Sequence, residues 1–108
     1  MFEFEDLFYK LDEDLNPIPC SMDEMMEWMV ANGKQIEKTQ VTDDIMVSTV
    51  FLGVDHAYFL NAPPILFETM VFGGDQDRFR QRARTWSEAE DIHNMLVDRI
   101  RSGKEAWR

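Results

Sequence analysis

Ile45-Met46-Val47-Ser48-Thr49-Val50-Phe51-Leu52 and Ile65-Leu66-Phe67-Glu68-Thr69-Met70-Val71-Phe72, the second closed by Gly73-Gly74, decide the fold. Both runs are rich in β-branched and aromatic side chains, which suit a pleated and largely buried surface. They predict strands over 45–52 and 65–72. Residues 53–64 between them carry Asp55-His56 near the start and Pro63-Pro64 at the end, and read as a loop. Two strong strands joined in this way pair as antiparallel neighbours.

Toward the C-terminus, Arg78, Arg80, Arg82 and Arg84 recur at every second position, with Phe79, Gln81 and Ala83 between them. Period two predicts a strand over 78–84 with one arginine-lined face. Thr85 or Ser87 then caps a helix over 87–102, and Ser87 with Glu90 has the S-x-x-E spacing. Ala89, Ile92, Leu96, Val97 and Ile100 form its apolar stripe, and Gly103 ends it.

Toward the N-terminus, residues 35–41 alternate weakly and predict another strand, with Thr42-Asp43-Asp44 as a turn. Ser21-Met22-Asp23-Glu24 matches a capping box. Met22, Met25, Met26 and Met29 follow at helical spacing, with Trp28 on the flank and Gly33 as the stop. This predicts a helix over 22–32 whose methionines belong to the core, the alternative being an adaptable binding groove. Phe8-Tyr9-Lys10-Leu11 and Pro17-Ile18-Pro19 flank a turn, Asp12-Glu13-Asp14-Leu15-Asn16. The two prolines limit the second arm to an edge strand or an extended segment. Phe2 and Phe4 alternate with Glu3 and Glu5. The whole reads as one α+β domain, 1–108, with an acidic N-terminal segment over 1–20. Its core is an antiparallel meander of three to four strands packed by two amphipathic helices.

The 108 residues are 44% hydrophobic and 30% charged, a globular composition. Eleven Lys and Arg against 21 Asp and Glu give a formal charge of -10. That sign argues against direct contact with nucleic-acid phosphates or an anionic membrane. The lone Cys20 forms no intramolecular disulfide, which fits a reducing cytoplasm. No apolar run reaches the ~18 residues of a membrane span, and the acidic start MFEFEDLFYK lacks the basic region of a secretory signal. The charge is uneven. Residues 1–30 hold nine acids and one base, residues 31–60 four and two, and residues 61–108 eight of each.

Four side chains form a candidate metal or acid–base set: Asp55, His56, Glu68 and His93. Imidazoles and carboxylates are the right donors, but no helical H-x-x-x-H or H-x-x-E-H spacing brings them together. The structural alternative has Asp55 capping a turn, His56 packing in its loop and His93 bordering the core. Neither a phosphate-binding loop nor a G-x-S-x-G nucleophile elbow is present. Cys20 precedes a helix N-terminus, where the dipole can lower a thiol pKa; its alternative is a small filler. The four arginines either bind anionic groups or neutralise the N-terminal acids internally. Trp28, Trp86 and Trp107 are candidate interface anchors.

The stretch from Val47 to His56, VSTVFLGVDH, followed by PPILFETMVFGG over 63–74, resembles a group of small uncharacterised proteins encoded by phages and prophages. The resemblance extends to a hairpin over 9–18 and to the arginine-rich strand, Thr85-Trp86 and His-containing helix over 82–93. This chain departs from it in Arg82-Ala83-Arg84, where an aromatic is expected after the first arginine, and in a more acidic start. The resemblance implies a phage or mobile-element origin and a bacterial host cytoplasm. It implies no reaction, no cofactor and no catalytic residue.

Three functional readings follow. The first is a phage-derived, non-enzymatic protein-binding module. Its acidic face comprises Glu3, Glu5, Asp6, Asp12, Glu13, Asp14, Asp23, Glu24 and Glu27. Its partner is a basic host protein that handles nucleic acid, and an anti-defence, anti-CRISPR-like inhibitor is the concrete form. The second is a small metal-dependent enzyme or ligand-binding protein using Asp55, His56, Glu68 and His93. The third is a self-assembling phage accessory protein, a homo-oligomer.

Overall fold

The structure, a computed structural model, describes residues 7–57 and 62–104. In chain order the elements are β1 (Phe8–Leu11), β2 (Pro17–Cys20), α1 (Met22–Asn32), β3 (Gln35–Gln40), β4 (Met46–Phe51), β5 (Phe67–Phe72), β6 (Arg80–Ala83) and α2 (Trp86–Arg101). The fold is α+β. β3-β4-β5-β6 form a four-stranded antiparallel meander, and β1-β2 form a separate two-stranded sheet.

The central pair sets the register. Val47 lies opposite Val71, Thr49 opposite Thr69 and Phe51 opposite Phe67, which in turn faces Ala83 of β6. All seven side chains are buried. Because successive strand residues alternate sides, these rows share one face of the sheet. α2 covers that face. Leu96 and Val97 pack on Val47 and Val71, while Ala89 packs with Phe51, Phe67 and Ala83. α1 reaches the same core at its end, where Trp28 meets Phe51 edge-on with ring centroids 5.4 Å apart. Gly53, just past β4, lies under α1: a Cβ there would come within 2.7 Å of Met25 Sδ, and its φ of 75° suits glycine.

The hairpin β1-β2 is tied to the loop after β4. The Tyr9 amide donates to the Gly53 carbonyl at 2.8 Å, and the Asp55 amide donates to the Leu7 carbonyl at 3.0 Å. Pro17 and Pro19 sit at alternate positions of β2, so their missing N–H groups fall on the outer edge. Ile18 and Cys20 keep amides that face β1.

The helix starts follow their caps. The Glu24 amide donates to Ser21 Oγ at 3.1 Å, and the Ser21 amide donates back to Glu24 Oε1 at 3.3 Å. For α2 the cap is Thr85 rather than Ser87: the Glu88 amide donates to Thr85 Oγ1 at 3.1 Å. The arginine strand is shorter than its period predicts. Arg78 has a φ of 71° and leaves the extended region, because the chain is still turning back from β5. The Gly73 amide donates to Asp77 Oδ1 at 2.7 Å and the Arg78 amide donates to the Val71 carbonyl at 2.7 Å. Gly73 is obligatory in this turn, since a Cβ would stand 1.8 Å from the Asp44 carbonyl oxygen.

Candidate functional site

The structure does not assemble the candidate metal set. Asp55 Oδ1 accepts from the Ala57 amide at 2.7 Å and the Ile65 amide at 3.0 Å, so its carboxylate clamps the loop between β4 and β5. His56 Nδ1 stands 2.7 Å from the Val54 carbonyl oxygen and donates to it. Glu68 accepts from Arg82 Nε at 3.0 Å. Its neighbours Phe67 and Thr69 point toward α2, so Glu68 lies on the opposite face of the sheet from His93. No three His, Cys, Asp or Glu side chains among the described residues gather as metal ligands. Two surface depressions of about 340 Å³ flank α2, and none of the four residues lines either of them.

His93 is instead the centre of a buried polar line that the sequence reading did not find. Its Nδ1 lies 2.8 Å from Thr49 Oγ1, its Nε2 lies 2.8 Å from Thr39 Oγ1, and Thr49 Oγ1 lies 2.6 Å from Thr69 Oγ1. The line joins α2 to β3, β4 and β5 through the middle of an otherwise apolar face. A neutral imidazole has one donor and one acceptor, and hydroxyls on both sides satisfy them. Burial holds the His93 pKa below the ordinary histidine value, opposed by the Glu37 carboxylate. That carboxylate is 3.9 Å from Nε2 and half exposed. The two ring nitrogens thus tie α2 to β3 and β4. The signal was present as Thr49 and Thr69 at matching places in the two strong strands, which the antiparallel register aligns.

The acidic set gives a different result. Glu3, Glu5 and Asp6 lie outside the described residues, as does Trp107. The other six all fall on the β1-β2-α1 unit. Two of these are occupied. Asp12 Oδ1 accepts from the Asp14 and Asn16 amides, both at 2.9 Å, and so builds the hairpin turn. Glu24 is held by the Ser21 amide and by Lys10 Nζ at 3.2 Å, which together keep its carboxyl pKa below the usual range. Glu13, Asp14, Asp23 and Glu27 are exposed, and no cation among the described residues pairs with them. Glu13 and Asp14 stand at the hairpin tip, Asp23 and Glu27 on successive turns of α1. The two groups are separated by the length of β2, roughly 14 Å at ~3.4 Å per residue.

Among the described residues, no ion pair joins an arginine to these acids. Arg82 is the internal partner of Glu68 on the meander, and Arg84 Nε donates to the Pro63 carbonyl at 3.2 Å. Cys20 departs from the dipole expectation: its thiol pKa is raised, first by burial and then by the neighbouring Glu24 carboxylate. No helix among the described residues is long and apolar enough to cross a membrane. No family model, no curated protein and no solved structure matches the chain.

Proposed function

We propose that the protein is a phage-derived, non-enzymatic binding module whose β1-β2-α1 unit presents an acidic face to a basic, nucleic-acid-handling host protein in the bacterial cytoplasm. An anti-defence inhibitor that occupies a phosphate-binding groove is the concrete form of this reading. The observation that supports it is the segregation of charge. Residues 7–33 carry six acids and one base, whereas residues 62–104 carry seven of each. Four of the six acidic side chains, Glu13, Asp14, Asp23 and Glu27, are exposed and make no ion pair with the described residues. Carboxylates arranged in this way steer association with Lys- and Arg-rich grooves and supply specificity at the contact.

The test is capture from a bacterial host lysate at low salt with the native chain and with a variant carrying Glu13→Lys, Asp14→Lys, Asp23→Lys and Glu27→Lys. The native chain retains nucleic-acid-handling proteins that high salt releases, and the reversed chain does not. Retention of the same proteins by both chains, or retention indifferent to salt, contradicts the reading.

A further inference from the structure

α1 carries two apolar rows, and the described residues cover one of them. The inner row is Met25, Trp28 and Met29. Met25 and Met29 close over Gly53, while Trp28 and Met29 pack against the core cluster of Phe51. The outer row is Met22, Met26 and Val30, which are 51%, 54% and 88% exposed. Positions four apart stack on successive turns, so the three side chains form one continuous ridge. A helix whose task was only to close the core would carry polar side chains there. Asp23 and Glu27 each follow a ridge methionine by one residue, about 100° further round the helix. They border the ridge along its solvent side. Methionine is unbranched and polarisable, and it moulds to partners of differing shape.

We propose that this outer face of α1 is the docking site for a cationic amphipathic helix of a partner protein. The partner's apolar side chains seat on Met22, Met26 and Val30, and its Lys or Arg side chains meet Asp23 and Glu27. The inference rests on the binding reading above and specifies its contact surface and the partner's shape. A ridge at four-residue spacing packs into the groove of another helix. α1 satisfies its own backbone groups, so it offers no edge for an added strand. A second copy of this chain fits poorly, because a two-fold contact would place the same carboxylates against each other on a chain of net charge -10. An anionic membrane is repelled by the same sign.

The probe is a synthetic helical peptide with leucine on one face and lysine on the others, titrated into the full chain, with a scrambled peptide of identical composition as control. M22S/M26S/V30S weakens binding by about tenfold to a hundredfold, the scale of about 1.4–2.8 kcal/mol. D23K/E27K weakens it at low salt, with a loss that shrinks at high salt. Should the triple variant lose helical content, V30S alone, at the most exposed position, gives a severalfold loss in an intact fold. If M22S/M26S/V30S and V30S bind as the native chain does while D23K/E27K does not, this inference fails and the charge reading survives. If neither change matters, both fail. Equal binding of the scrambled peptide overturns the inference. So does concentration-dependent self-association of the native chain that M22S/M26S/V30S abolishes.

Discussion

Both helices open on a hydroxyl cap: Ser21 accepts the Glu24 amide, and Thr85 accepts the Glu88 amide. Both carry acids in the first turn, where the helix dipole favours them. Beyond that they diverge. The 16-residue α2 buries Ala89, His93, Leu96 and Val97, and ends on Arg99 and Arg101, which complement the dipole. The 11-residue α1 buries none of its residues and has no base in its last turn. α2 is held by the sheet beneath it. α1 is held along one side, by contact with the hairpin and with Phe51, and its other side leaves Met22, Met26 and Val30 exposed. Caps and apolar spacing specify that a helix forms. They do not specify how much of its apolar surface the rest of the chain covers.

The contrast breaks most visibly under truncation. Leu96 is fully buried, so Leu96→Ala leaves a cavity and costs about 2–5 kcal/mol. Met26→Ala, at an exposed position of α1, costs less than about 0.5 kcal/mol. Urea unfolding of the two variants measures both, and similar losses would show that α1 is as deeply integrated as α2.

The His93 line sharpens the comparison from the other side. His93→Ala removes the ring partner of Thr39 and Thr49; Thr49 keeps its 2.6 Å bond to Thr69, so the cost is about 1–3 kcal/mol if the Thr39 hydroxyl finds no new partner. The same site makes stability depend on pH. The folded-state pKa is depressed by burial, so the unfolded chain takes up a proton first as the pH falls. The contribution is therefore complete above about 6.5, the ordinary histidine value. It diminishes as the pH drops from there toward the folded-state pKa, by up to about 1.4 kcal/mol per pH unit. Thermal unfolding of native and His93→Gln chains between neutral and mildly acidic pH isolates this contribution. The native chain loses more stability on acidification, and parallel curves would mean that His93 is not the group responsible.

A small effect is also expected on the sheet face opposite α2. Glu68 and Arg82 form one partly exposed ion pair at 3.0 Å. Glu68→Gln lowers stability by less than about 1 kcal/mol, and by less still in high salt. A larger loss in denaturant unfolding would make that pair part of the core.

The meander was legible because its strongest strands are long, β-branched and bounded by turn residues. The sequence places them at 45–52 and 65–72, and the structure gives Met46–Phe51 and Phe67–Phe72. α1 was legible from its capping box to its last residue. The arginine strand was overextended because alternation continues through Arg78, whereas the Gly73-Gly74 turn and the left-handed backbone at Arg78 delay pairing until Arg80. The second arm of the hairpin read as an edge strand or an extended segment, because prolines argue against pairing in general, and it is an edge strand. Only their alternate placement makes β2 a workable edge. The site was less legible than the fold. His93 reads as a candidate ligand in the sequence, and only the register of Thr49 against Thr69 discloses its partners. The methionines of α1 read as one core stripe, because spacing alone does not separate Met25 and Met29 from Met22 and Met26.

Residue-resolved NMR during titration with the leucine–lysine peptide tests the central claim most directly. The account predicts amide and methyl shifts concentrated on Met22, Asp23, Met26, Glu27 and Val30, extending to the hairpin tip at Glu13 and Asp14, with α2 unmoved. Shifts concentrated on α2 or on the arginines of β6, with α1 silent, would contradict it.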